Sequence, residues 1–370
     1  MLNLKNLKVL ILEQNNLLKL TTNSLDQNNP EIKYKVISKD KLSNSIIGTA
    51  LSNMIAENGH NVVLWMRSSK RASQCSVSFE NPKYLPGFSL DTKITFSSDL
   101  RSSIHDADVI FFSVPSKAYR DVAREVKQFI KDDIRVISTA KGIEAKTFKL
   151  MSKVLEEELP KARVGVISGP NLAMEIAAKE ITATVVACQD PDVCTGIQEL
   201  LSSRYFRVYA NSDRFGVEIA GALKNIYAIA AGISFSMHMG QNTISVLITR
   251  SLAEMSRFSA CLGANPMTFL GLSGVGDLFV TCTSPLSRNF QIGMALGEGL
   301  SVDEAVIKVG HTAEGINTVR IIKSESEKLR VYMPIASALY ETMFNGQPVE
   351  DGLKSMMLAD QNTDVEFFGR

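Results

Sequence analysis

The chain has 370 residues, 45% hydrophobic and 21% charged, the composition of a soluble globular protein long enough for two domains. A net charge of +1 supplies no global field for nucleic acid or for an acidic membrane surface. No apolar run reaches the roughly 20 residues of a membrane span; the nearest, VEIAGALKNIYAIAAGI, is interrupted by Glu218 and Lys224.

The first 33 residues stand apart from the rest. KVLILE (8–13) has the apolar run of a strand, but the following 20 residues are rich in Asn, Gln, Thr and Ser and read as a loop or tail. The apolar run lacks a small-residue cleavage site, which argues against a secretory signal. A helix carrying Ala50, Leu51, Met54 and Ile55 then ends at Asn58-Gly59 and leads into the buried-strand pattern NVVLW. That is the αβ half of a dinucleotide-binding unit, which opens with G-x-G-x-x-G where the backbone approaches a pyrophosphate. Here the same spacing reads Ser43-Asn44-Ser45-Ile46-Ile47-Gly48, so only the third glycine is present. The strand feeding this loop is either YKVIS (34–38), with the loop lengthened by KDKL, or the earlier LKVLILE.

Short apolar runs and helical stretches alternate up to about Tyr209, the pattern of a mostly parallel, doubly wound sheet. After about Asn211 long amphipathic segments dominate. The expected architecture is an α/β doubly wound, Rossmann-like N-terminal domain followed by an all-α C-terminal domain. Its divisions are an atypical segment at 1–33, a dinucleotide-binding domain at 34–210 and a helical substrate domain at 211–370. A ligand cleft between the two domains follows from that arrangement.

Three loops, SVPS (113–116), TAKG (139–142) and SGPN (168–171), follow strands at the sheet's carboxyl edge, where open α/β sheets bind ligands. Ordinary turn chemistry would explain their composition equally well. Strand two ends LWMRSSKR, offering Arg67, Lys70 and Arg71 where NAD binders place an acid; if a dinucleotide binds, positive charge there favours the 2′-phosphate of NADP, and otherwise the stretch is a solvated basic loop. In GALKNIYAIAAG, Lys224 and Asn225 sit in an apolar, small-residue helix. Burial lowers a lysine's pKa and would suit it to act as a general base, unless the side chain reaches solvent. Asp277 follows a glycine-rich turn, and ten residues on, Ser287-Arg288-Asn289 suits a phosphate or carboxylate, or else caps a helix. The five scattered cysteines read as reduced thiols of a cytoplasmic protein, and the four histidines show no metal-ligand spacing, so no metal is expected.

ISGPNLAMEIA, GVEIAGALKNIYAIAAGI, ITRSLAEMSR, FLGLSGVGDLFVTCTSPLSRN and TAEGINT resemble, in order, the signatures of bacterial-type NAD(P)-dependent glycerol-3-phosphate dehydrogenases, from about Gly48 to about Asn345, and NPKYLPG (81–87) resembles that family's loop after the second strand. The resemblance implies reversible interconversion of dihydroxyacetone phosphate and sn-glycerol 3-phosphate, which supplies the glycerol phosphate of phospholipids. NADP is the implied cofactor, with NAD as the second candidate, and a homodimer is the implied assembly. It implies catalytic roles for Lys224, as proton acceptor, Lys141 and Asp277. Substrate contacts fall to Lys141, Gly169, Asn171, Asn225, Thr281, Ser287, Arg288 and Asn289. Cofactor contacts fall to Ser43, Ser45, Ile46, Ile47, Gly48, Arg67, Lys141, Ala173, Arg288, Thr312 and Glu314. The departure from the family's G-x-G-x-[WYF]-G-T-A bears on cofactor affinity and leaves the substrate half untouched. The alternative expectation is a non-catalytic homologue with a decayed dinucleotide site.

Overall fold

A computed structural model describes residues 8–13, 45–310 and 314–352. The strands are β1 (Lys8–Glu13), β2 (Asn61–Met66), β3 (Glu80–Asn81), β4 (Leu85–Ser89), β5 (Ile94–Ser97), β6 (Val109–Phe112), β7 (Arg135–Ser138), β8 (Arg163–Ser168), β9 (Thr182–Ala187) and β10 (Phe206–Asn211). Eight of them form one sheet in the order β10-β9-β8-β7-β6-β1-β2-β5, and β3 and β4 form a separate antiparallel hairpin. Every pairing in the large sheet is parallel except β8 with β9.

The central strand is KVLILE. β1 pairs with β2 from Lys8↔Asn61 to Glu13↔Met66 and with β6 from Val9↔Val109 to Leu12↔Phe112. Residues 8–13 thus belong to the sheet, with KVLILE between β2 and β6. The physical reason is that a central parallel strand needs an uninterrupted run of ladder-forming residues between two neighbours, and KVLILE supplies six. The rest of segment 1–33, YKVIS, Ser43 and Thr312 lie outside the described residues.

Adjacent strand residues point to opposite faces. Leu64, Phe111, Ile137 and Ile167 pack with Leu51, Met54 and Ile55 of the helix Ser45–Glu57 and with Val193 and Ile197 of the helix Pro191–Leu201. Trp65, Ile110, Phe112 and Val136 face the other way, onto Tyr119 and Val122 of the helix Tyr119–Lys127 and Met151 and Leu155 of the helix Met151–Glu158. Helices on both faces make the sheet doubly wound, as expected. The first helix stops where the sequence indicates: Asn58 and Gly59 donate back to Met54 and Ala56, and Gly59 has φ +96°.

From Arg214 onward the described residues form helices. The helix Arg214–Ser236 runs through the middle of this half and buries most of its length. It is long and apolar enough to cross a membrane, but 83% of its apolar window is buried inside the protein, as befits a core helix. Its backbone lies directly against the helix Arg288–Gly297: a Cβ on Gly293 would come 2.0 Å from the Ile229 carbonyl oxygen, and one on Gly232 would come 2.0 Å from that of Phe290. That close approach fixes the two helices that carry Lys224, Asn225, Arg288 and Asn289.

Candidate active site

The strand order reverses between β1 and β6, so the connections leaving their carboxyl ends diverge and open a crevice. A cleft of about 210 Å³, open to solvent, lies between the sheet and the helical half, at the carboxyl ends of β7 and β8. Its floor and walls include Ile46, Ile47, Lys141, Asn171, Ala173, Lys224, Asn225, Thr281, Ser287, Arg288, Asn289 and Glu314, so the structure brings together most of the residues singled out in the sequence.

Lys224 is 6% exposed. Its Nζ donates to Asp277 Oδ1 and, at 2.5 Å, to Thr281 Oγ1. The second Asp277 oxygen takes Lys141 Nζ at 2.7 Å, and Lys141 also donates to the Gly169 carbonyl at 2.8 Å. One fully buried carboxylate thus bridges two ammonium groups from opposite halves of the molecule. Burial pulls the Lys224 amine down to about 8; Asp277 works against this and Lys141 adds to it. Gly169 holds φ +137°, a conformation that favours glycine, and so turns its carbonyl to Lys141.

A chain of amides runs beside this pair. Asn225 Nδ2 donates to the Lys141 carbonyl at 3.1 Å, Asn289 Nδ2 donates to Asn225 Oδ1 at 2.9 Å, and the Gly315 N–H donates to Asn289 Oδ1 at 3.1 Å. Ser287 is the N-cap of the helix Arg288–Gly297, accepting from Phe290 N, which leaves its hydroxyl proton to donate. Arg288 is half-buried, and desolvation pulls its guanidinium down to about 10 against the attraction of Glu314, so it stays charged at neutral pH. Glu314 opens the helix Glu314–Leu329 and accepts from Ser116 Oγ at 2.6 Å.

The residues fit a dinucleotide. Asn171 Nδ2 is held by Thr184 Oγ1 at 2.9 Å, while its Oδ1 is buried without a partner, an acceptor waiting for a ligand N–H or O–H. Ile46, Ile47, Leu51, Ile167, Leu172 and Met174 give the sheet side an apolar wall suited to a flat ring.

Residues 46–194 match the family described as NAD-dependent glycerol-3-phosphate dehydrogenase N-terminus, and residues 213–354 match its C-terminus. The chain is 52% identical over 326 residues to the NAD(P)+ glycerol-3-phosphate dehydrogenase of Ectopseudomonas mendocina, covering 88% of this chain and 96% of that relative. The chain belongs to the glycerol-3-phosphate dehydrogenase family. The Azotobacter vinelandii enzyme of the same name is 51% identical over the same length and coverage. The crystal structure of glycerol-3-phosphate dehydrogenase from Coxiella burnetii superposes with a TM-score of 0.83 at 30% identity, covering 96% of this chain and 99% of that one.

Several of the described residues named from the sequence do not line the cleft. Gly48 is buried in the first helix, where its carbonyl accepts from Ser52 Oγ. Asp277 and Gly169 lie just behind the lysines. Arg67 is exposed at the end of β2, next to β1 in the sheet, with exposed Lys70 nearby; Arg71 is tied to Tyr84, its guanidinium 5.0 Å from the ring centroid. The helix begins at Ser45, whose side chain, like Ser43 and Thr312, lies outside what is described. Asn81 of NPKYLPG, on the β3–β4 hairpin, donates to Thr49 Oγ1 at 2.9 Å and so ties the hairpin to the start of that helix. Of the cleft lining, sequence reasoning missed Thr139, Ile167, Leu172 and Met174, although Thr139 stands beside Lys141 in TAKG, noticed as a strand-end loop.

Proposed function

We propose that the cleft interconverts dihydroxyacetone phosphate and sn-glycerol 3-phosphate with a nicotinamide dinucleotide, NADPH in preference to NADH. The observation that carries the reading is Lys224: a buried amine, tuned to about 8, held by Asp277 and Thr281 at the floor of the cleft. The bound nicotinamide supplies or takes up the hydride at C2. Lys224 holds the proton that moves with it. As the ammonium it donates to the carbonyl oxygen in reduction, and as the neutral amine it takes the hydroxyl proton in oxidation. Asp277 steadies the charged form, and Lys141, sharing the same carboxylate, keeps that form from becoming too stable. Arg288, with Ser287 and Asn289, takes the phosphate as a charge-assisted partner. The Asn225–Asn289 pair fixes these groups relative to Lys141. Ile46, Ile47 and Ala173 receive the dinucleotide, with Arg67 and Lys70 on the side of its 2′-phosphate.

A cytoplasmic homodimer supplying glycerol phosphate to phospholipid synthesis fits this reading. All five cysteines are free thiols, four of them buried, which suits a reducing compartment. An intact lysine–carboxylate–lysine centre, in a family whose curated members carry the dehydrogenase name, favours catalysis over the non-catalytic alternative. The test is loss of NADPH absorbance on adding dihydroxyacetone phosphate, over a wide NADPH range, and with NADH. Wild type should turn over and Lys224→Ala should lose about a thousandfold in kcat, within the range for a general acid–base group. Near-normal turnover by Lys224→Ala would remove its role; no turnover by folded wild type would favour the non-catalytic homologue.

A further inference from the structure

Ser116 and Glu314 are 198 positions apart and lie in opposite halves, yet they meet where Glu314 borders the cleft. The Ser116 hydroxyl donates to Glu314 Oε2 at 2.6 Å and its N–H donates to Oε1 at 3.3 Å, so both carboxylate oxygens are gripped. Ser116 opens the short turn Ser116–Ala118 in the connection leaving β6, where a backbone N–H has no partner within the turn; Glu314 supplies it. On its other side the start of the helix Glu314–Leu329 is tied through the Gly315 N–H to Asn289, and so through Asn225 to Lys141. There is little room for this junction to relax. A Cβ on Gly315 would come 2.6 Å from Asn289 Oδ1, and one on Gly142 would come 2.8 Å from Ser116 Cβ and 3.0 Å from Glu314 Oε2.

We infer that Ser116 is a positioning residue: its two-point grip on Glu314 holds the two halves closed on the dinucleotide. The kinetic part of this inference rests on the dehydrogenase reading; the binding and exchange parts do not. A bond to a charged acceptor is worth about tenfold in an equilibrium, and a ligand that needs the closed form binds more weakly by the factor through which that form is depleted.

The test uses the full chain as Ser116→Ala, Ser116→Thr, Glu314→Gln, the Ser116→Ala/Glu314→Gln double variant and Gly142→Ala. NADPH binding is read by its fluorescence, and backbone amide exchange is read at residues 314–318. Ser116→Ala should raise the NADPH dissociation constant and KM about tenfold and speed exchange at 314–318 by a similar factor. Its kcat and its KM for dihydroxyacetone phosphate should stay within about twofold. Ser116→Thr, which keeps the hydroxyl, should recover most of the affinity. Gly142→Ala, which removes no hydrogen-bonding group but crowds the grip, should resemble Ser116→Ala. The double variant should be no weaker than the worse single one, since both break the same contact. Unchanged NADPH affinity and exchange in Ser116→Ala, additive losses in the double variant, or a loss falling equally on kcat would each overturn the inference. If wild type does not reduce dihydroxyacetone phosphate, the functional reading fails, and the NADPH and exchange measurements still decide the role of Ser116.

Discussion

Oxidation of glycerol 3-phosphate should follow the neutral fraction of Lys224. With an amine at about 8, that fraction is about 9% at pH 7 and about 91% at pH 9, so kcat/KM should rise about tenfold and then level off. An ordinary lysine at 10.5 would have only about 0.03% neutral amine at pH 7 and would climb about a hundredfold over the same interval without levelling. Burial therefore raises the working base at pH 7 about 300-fold. The neighbours give the limb a sign. Lys141 lowers the Lys224 pKa, so Lys141→Met should move the limb to higher pH; Asp277 raises it, so Asp277→Asn should move the limb to lower pH. The assay is NADP+ reduction at limiting glycerol 3-phosphate from pH 6 to 10, reading where the limb bends rather than its height, because both residues also support the site. A wild-type limb still rising with unit slope at pH 9.5, or one that neither variant moves, would refute the assignment.

Arg288→Lys should raise KM for dihydroxyacetone phosphate about tenfold or more in steady-state kinetics, because an ammonium cannot reproduce the planar two-point grip of a guanidinium on phosphate. Gly293→Ala places a methyl against the Ile229 carbonyl, which cannot retreat; denaturant unfolding should show a loss of about 3 kcal/mol, at the upper end of overpacking costs, together with weakened substrate binding. Burial pushes the carboxyls of Glu218 and Glu254 up to about 7, above their ordinary 4.5. Their protonated forms favour the folded state, so that contribution is complete below about pH 4.5 and is lost as pH rises through about 7. Denaturant titrations of wild type should show it, and Glu218→Gln with Glu254→Gln should flatten it.

Much of this was legible because two patterns were unambiguous. Runs such as DVIFFSVP and RVGVISGP are too apolar for anything but buried strands, and a lone lysine in GALKNIYAIAAG has nowhere to go but a pocket or the surface. β5 was missed because ITFS is four residues long and only two of them, Ile94 and Phe96, are apolar. The antiparallel β9 was invisible, since a run buried on both faces reads the same in either direction. The Ser116–Glu314 contact left no trace because neither residue is unusual in its own neighbourhood. The central strand was ambiguous for a different reason: KVLILE and YKVIS are both plausible strands, and only pairing with β2 and β6 selects between them.

That selection bears on the phosphate loop. Thirty-one residues separate Glu13 from Ser45, where a strand-to-helix connection in such folds usually has two to six. Length alone is inexpensive: going from about six residues to 31 adds about 1.5 kcal/mol of closure entropy, far less than the loss of a central strand would cost. What length cannot supply is the glycine backbone: positions 43 and 45 are serine, where the family's loop has glycine so that a pyrophosphate can approach the backbone. On the proposed reading the apolar wall, Lys141 and Arg288 offset a glycine-poor phosphate loop. Replacing residues 14–44 with a short glycine-bearing connection, and keeping β1 and the helix Ser45–Glu57, should tighten NADPH at least about fivefold, roughly 1 kcal/mol. Fluorescence titration against wild type decides it, with the thermal melt as the check that the sheet has formed. Equal affinity in the two folded proteins would mean that the phosphates are held by groups other than the loop, and the glycine argument would be wrong.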